Sequence, residues 1–264
     1  MSPALSEQYL FLIAIACSAL LMSVLWLVQV RTSNATAADA GWAGCILVCV
    51  LLYGALGGGD RTRGLCLVAM AFLWGGRLIR LVLARCKGPE DARYARLRAE
   101  WGSTAGRMFF GLYMLQAFVA ALVSVPYLVS AADPSTALRP TETAALALWC
   151  AAFALEVLAD AQLRAYKASD AGKGKVCDVG LWRYSRHPNY FFEWLMWVAL
   201  ALFASGAPHG HLAWGAPVIM LVFLTRVSGI PPAEQQSLLS KGDAYRRYQA
   251  VTSPFVPWPP RKSS

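Results

Sequence analysis

Hydrophobic positions along this chain gather into long runs rather than alternating, and seven apolar segments can be drawn at approximately 8–30, 41–57, 64–84, 109–131, 142–160, 190–206 and 213–229. Each is near the roughly 20 residues that a helix needs to cross a bilayer, with the shorter ones completed by their flanks. The pattern predicts an all-α, polytopic membrane helix bundle of about seven transmembrane helices. It is read as a single transmembrane domain over 1–264, with a tail over 230–264 and no internal repeat. The first run lacks a basic n-region, carries Glu7 and is long for a signal peptide, so it is read as a retained span. The polar positions give an orientation. With the N-terminus outside, the inner segments hold Arg31, six basic residues in 85–107, six in 160–189 and six from Arg226 onward, against Arg61, Arg63 and Arg139 outside. That bias predicts a cytoplasmic C-terminus.

Composition sharpens this picture. The chain is 57% hydrophobic over 264 residues, and its net charge of +9 lies in loops between apolar runs. A basic DNA-binding stripe is therefore not expected, and no nucleic-acid partner is assigned. The seven cysteines fall mostly inside apolar runs without CxxC spacing, so neither a disulfide framework nor a zinc site is expected. His209 and His211 lack a nearby third ligand, and no metal is assigned.

Polar groups that interrupt this pattern are the candidates for chemistry, because charge near a bilayer is costly unless it finds partners or lines a polar cavity. Arg77 and Arg80 sit three residues apart inside the third run. Asp39 opens the second, where a carboxylate either favours a helix N-terminus or serves a site. The stretch from Arg85 through Glu90-Asp91-Ala-Arg93-Tyr94 to Trp101 has the acid–base spacing of a surface helix, and Gln116 is a polar group within the fourth run. Glu156, Asp160 and Lys167 share one face at the end of the fifth run, and a flexible basic loop with Lys175 follows. The densest stretch is Gly180-Leu-Trp-Arg-Tyr-Ser-Arg-His-Pro-Asn-Tyr-Phe-Phe-Glu193, which crowds Arg183, Arg186, His187, Asn189, Tyr190 and Glu193 before the sixth run. Arginines facing a helix N-terminus suit phosphate. Beyond the seventh run come Arg226, the consecutive prolines Pro231 and Pro232, Glu234, and then Tyr245 and Tyr248 on one helix face.

These residues are familiar as a set. The Gly180–Glu193 stretch, Glu90-Asp-x-Arg-Tyr94, Ser228-Gly-Ile-Pro-x-x-Glu234 and Tyr245-x-x-Tyr248-x-x-x-Thr-Ser253 resemble the DUF1295-type membrane proteins of the steroid 5-alpha-reductase superfamily, which is related to sterol C14 reductases. The resemblance covers nearly the whole chain. It implies a seven-span bundle holding NADPH in a cytoplasm-facing cavity and reducing a double bond conjugated to a ketone. By position it implies that Asn189 and Glu193 bind the nicotinamide end and that Asp160 binds cofactor polar groups. Lys167, Lys175, Arg77 and Arg226 would surround phosphates or ribose, with Arg186, His187, Tyr190 and Tyr245 completing the cofactor site. Where the reductases polarise the ketone with a Gln-Glu pair and a tyrosine, this chain has Asp39-Ala40 and Trp74. Asp39 is accordingly the candidate acid, and the substrate is expected to be some other lipophilic enone.

The Arg-His-Pro-x-Tyr signature also occurs in isoprenylcysteine and phospholipid methyltransferases, where it lines an S-adenosylmethionine pocket. That leaves a methyltransferase as the alternative function, and a non-catalytic lipid-binding membrane protein as a third. The six cations Arg77, Lys167, Lys175, Arg183, Arg186 and Arg226 favour the reductase, because a dinucleotide with three phosphates asks for more positive charge than a methyl donor with none. Membrane lipid and a lipophilic small molecule are the expected partners. Oligomeric state is not legible.

Overall fold

The computed structural model describes residues 5–170 and 172–261, and within them the regular structure is helical, with no strand. The helices are α1 (Glu7–Thr32), α2 (Ala38–Leu56), α3 (Arg61–Arg85), α4 (Ala92–Trp101), α5 (Ala105–Val123), α6 (Val125–Ala131), α7 (Pro140–Ala168), α8 (Pro188–Ala204), α9 (Gly215–Val222), α10 (Ile230–Lys241) and α11 (Asp243–Val251). Six segments are long and apolar enough to cross a membrane: Glu7–Thr32, Ala38–Leu56, Arg61–Arg85, Ala92–Val123, Pro140–Ala168 and Gly210–Lys241. The chain is thus a multi-pass helical membrane protein with a count close to the seven drawn from hydropathy.

The differences have local causes. The apolar run drawn at 109–131 breaks at Ser124 between α5 and α6, because Pro126 has no N–H to continue the ladder. The Ser124 hydroxyl donates to the Ala121 carbonyl at 2.7 Å and meets the Tyr53 hydroxyl at 3.1 Å, so the break is satisfied internally. The run at 190–206 is α8, whose 17 residues rise about 25 Å, short of the roughly 30 Å hydrocarbon core. Beyond α9 the chain makes a π-helical turn, Phe223–Val227, in which the Ser228 N–H reaches back to the Phe223 carbonyl at 2.9 Å. Gly229 closes this turn at a point where a Cβ would come within 2.4 Å of the Leu224 carbonyl oxygen.

The chain divides into two compact units. The first takes the chain to Thr143 together with Ala201–Ala216. In it α1, α2, α3 and α5 pack together with α6 against them. The contacts are lined by small residues, among them Ala14, Ser18, Ala43, Cys45, Cys49, Ala117 and Ala121, which let helix backbones approach in lipid. At one end of this unit Arg63, fully buried, donates from Nε to Glu142 Oε1 at 2.6 Å and from its remaining nitrogens to Ser135 and Ala137 carbonyls.

Another polar cluster of this unit ties α4 to the α1–α2 connection. Glu90 accepts the Ala35 N–H at 2.7 Å and two bonds from Arg98, while the Asp91 N–H donates to the Thr36 hydroxyl at 2.9 Å. Asp91 caps α4 through the Arg93 N–H. Arg93 Nη2 donates to Asp39 Oδ2 at 2.7 Å and the Tyr94 hydroxyl donates to Asp39 Oδ1 at 2.6 Å. The second unit, Ala144–Leu200 with Pro217 onward, holds most of α7 and α8, together with α10 and α11.

Candidate functional site

The polar stretch singled out by its density forms a tight turn in the second unit, running from Gly180 into the first residues of α8. Gly180 takes φ +58°, and a Cβ there would come within 2.5 Å of Gln162 Oε1. That oxygen accepts the Leu181 N–H at 2.9 Å, and the Trp182 indole donates to the Ala159 carbonyl at 2.8 Å, so two bonds fasten the turn to α7. From the other side the segment after α11 straps it down. Arg186 N–H donates to the Ser253 carbonyl, the Ser185 hydroxyl to the Phe255 carbonyl at 2.7 Å, and Trp258 N–H to the Tyr184 carbonyl. The Phe255 ring packs edge-on against Phe191 and at a tilt against Trp194.

Arg186 is the keystone of this arrangement. Its Nε donates to Glu234 Oε1 at 2.6 Å, and its Nη1 donates to the carbonyls of Gln249 at 3.0 Å and Thr252 at 2.7 Å. Glu234 in turn accepts from Gln249 Nε2 at 2.9 Å. The Tyr248 hydroxyl donates to the carbonyls of Trp182 and Ser185, and Tyr245 packs beside it. Burial pushes the Tyr245 hydroxyl up to about 12, and raises Tyr248 as well, so both stay neutral donors at physiological pH. Arg186, expected from sequence among the cofactor-binding groups, thus spends these donors on the protein itself. Glu234, absent from that set, is the acid that holds it; the spacing of Ser228-Gly-Ile-Pro-x-x-Glu234 was its signal in the sequence.

Against this braced background two groups stand out. Asn189, on the first turn of α8, donates from Nδ2 to Asp160 Oδ1 at 3.1 Å, which fixes its amide, yet its Oδ1 is buried without a hydrogen bond. The His187 ring is 6% exposed and stacks on Tyr190 at 5.4 Å with planes 5° apart. Its Nε2 lies 3.4 Å from Glu234 Oε1 but makes no aligned hydrogen bond. Buried polar atoms left in this state cost roughly 1–3 kcal/mol each, and each calls for an explanation. One turn along α8, half-buried Glu193 accepts from the Trp197 indole at 2.9 Å. Lys167, Lys175, Arg183 and Arg226 are exposed, and none makes an ion pair among the described residues. Lys167 lies close enough to Lys241 and to the buried Cys177 to be felt by both.

A family model described as a protein of unknown function, DUF1295, matches residues 25–252. The chain belongs to the DUF1295 family. It is also similar to an uncharacterized protein of Schizosaccharomyces pombe, 28% identical across 94% of this chain and 79% of that protein. No solved structure matches it. The DUF1295 match takes in every site residue expected from sequence, from Asp39 to Tyr245, and stops at Thr252, where the strap begins.

Within this DUF1295 chain the expected set falls into two groups. Asp160, Lys167, Lys175, Arg186, His187, Asn189, Tyr190, Glu193, Arg226 and Tyr245 all belong to the second unit, whereas Asp39 and Arg77 belong to the first. Arg77 is half-buried on α3. Asp39 accepts a bond at each oxygen, one of them from the Arg93 guanidinium. The second-unit residues do fit a nucleotide. Asn189 Oδ1 is an acceptor in want of an N–H, His187 offers a ring nitrogen two residues earlier, and the unpaired cations match phosphate oxygens.

Proposed function

We propose that this protein is an NADPH-dependent membrane reductase acting on a carbon–carbon double bond conjugated to a carbonyl in a lipophilic substrate. The observation that carries the reading is the buried, unsatisfied Oδ1 of Asn189, with its amide locked in place by Asp160. A fixed, dry acceptor of this kind suits an N–H of a carboxamide or a purine amino group, and it pre-orients a ligand without losing side-chain freedom on binding. Bound NADPH would supply the hydride. Asn189 would hold the cofactor's amide, Lys167, Lys175 and Arg226 would neutralise phosphate charge, and Arg186 with Glu234 would keep the turn rigid beneath them. The resemblance to the steroid 5-alpha-reductases supports the choice of a conjugated double bond, and the apolar spans support a lipophilic substrate.

Binding tests this reading directly. Detergent-purified protein titrated with NADPH and followed by intrinsic tryptophan fluorescence is expected to saturate in the micromolar range or tighter. The same titration with Asn189→Ala should weaken binding at least tenfold, the loss of about one buried hydrogen bond. Saturation with S-adenosylmethionine and silence with NADPH would replace the reductase by a methyltransferase. Silence with both would leave a lipid-binding protein.

A further inference from the structure

In the first unit, α3 carries an open groove toward its Arg85 end. Gly76, Ile79, Arg80, Leu83, Ala84 and Lys87 line this groove of about 440 Å³. The spacing of three and four residues makes the first five a single stripe along the helix, and Lys87 follows in the turn just beyond it. Leu83 is 51% exposed, and a Cβ built on Gly76 would meet nothing within 4 Å, so the groove is open space rather than a packing defect. Arg80 and Lys87 stand about two turns apart on its rim, both exposed and neither in a hydrogen bond or ion pair among the described residues.

We propose that this groove binds one anionic phospholipid, an acyl chain lying along Gly76, Ile79 and Leu83 and the headgroup phosphate held by Arg80 and Lys87. Two features select a lipid over a soluble anion. The wall is apolar and belongs to a membrane-spanning segment, where Arg80 can reach the interface only by extending along the helix. The two cations lie toward the end of that segment, where headgroups sit. The inference is independent of what the second unit binds.

The test is competitive lipid retention by the full-length protein in native mass spectrometry, with equimolar phosphatidylglycerol and phosphatidylcholine. Preferential retention of one phosphatidylglycerol is expected. Arg80→Gln with Lys87→Gln should reduce that preference by about fivefold per cation removed. Gly76→Leu should lower retention by filling the groove; leucine is the better helix former and its Cβ meets nothing within 4 Å there, so melting temperature should hold or rise. Equal retention of the two lipids, or undiminished phosphatidylglycerol retention in both variants, overturns the site. Displacement by free glycerol phosphate as readily as by intact lipid overturns the lipid assignment.

Discussion

The two units each carry a cluster of arginines and carboxylates, and the clusters end differently. Around α4 the charges close on one another: Glu90 with Arg98 and the Ala35 amide, Asp39 with Arg93 and Tyr94. The atoms left over are the Nε2 of Gln29, whose Oε1 accepts from Arg98, and the Oε1 of Gln116. Around the turn before α8 the same chemistry builds a brace from Arg186, Glu234 and Gln249. Two groups beside that brace, His187 and Asn189, keep a buried atom unspent. Charge density alone therefore does not distinguish a site from a joint. The leftover capacity differs in kind: amide atoms on α1 and α5 in the first unit, an amide oxygen and an imidazole nitrogen at the start of α8 in the second.

The largest expected effect breaks the brace itself. Arg186→Ala strands Glu234 at 18% exposure and frees two carbonyls, so thermal unfolding in detergent should show a loss of about 3 kcal/mol. A loss under 1 kcal/mol would mean the turn is held mainly by its strap. Next comes the ligand side of the comparison. Asn189→Ala should cost tenfold or more in NADPH affinity while stability changes by less than about 1 kcal/mol, because only the bond to Asp160 is lost from the free protein. Tyr94→Phe should do the reverse. Losing the 2.6 Å bond to Asp39 should cost about 1 kcal/mol of stability and leave cofactor affinity unchanged.

The smallest effect separates the clusters by pH. Burial raises the Glu90 carboxyl, but the Arg98 guanidinium and the Ala35 amide outweigh it and hold the group below its ordinary value. The stability it contributes is complete above the unfolded carboxylate value near 4.3, and it is lost as pH falls through the lower folded value. Melting temperatures of Glu90→Gln and the parent, separated at pH 6, should converge in strong acid.

Much of this was legible in the sequence, and the reasons are unequal. Long apolar runs fix spanning helices because a backbone in lipid must satisfy itself, so α1, α2, α3 and α7 lie where hydropathy put them. The break at Ser124 was hidden because the apolar run continues through Pro126 on both sides. Asn189 stood out as a polar group at a helix start. Arg186 stood out too, but its partner lies 48 residues further along the chain, and nothing local announces that its Nε and Nη1 are already spoken for. Asp39 posed the same problem in the first unit: the acid was visible in the sequence, its partners Arg93 and Tyr94 were not.

The π-helical turn at Phe223–Val227 holds one residue more than the regular helix around it. Deleting a single position there would let the segment relax into ordinary geometry and swing everything downstream by roughly 100° about the axis. Glu234 would then be carried away from Arg186, and a change of one codon in an apolar helix would dismantle a polar joint several residues beyond it.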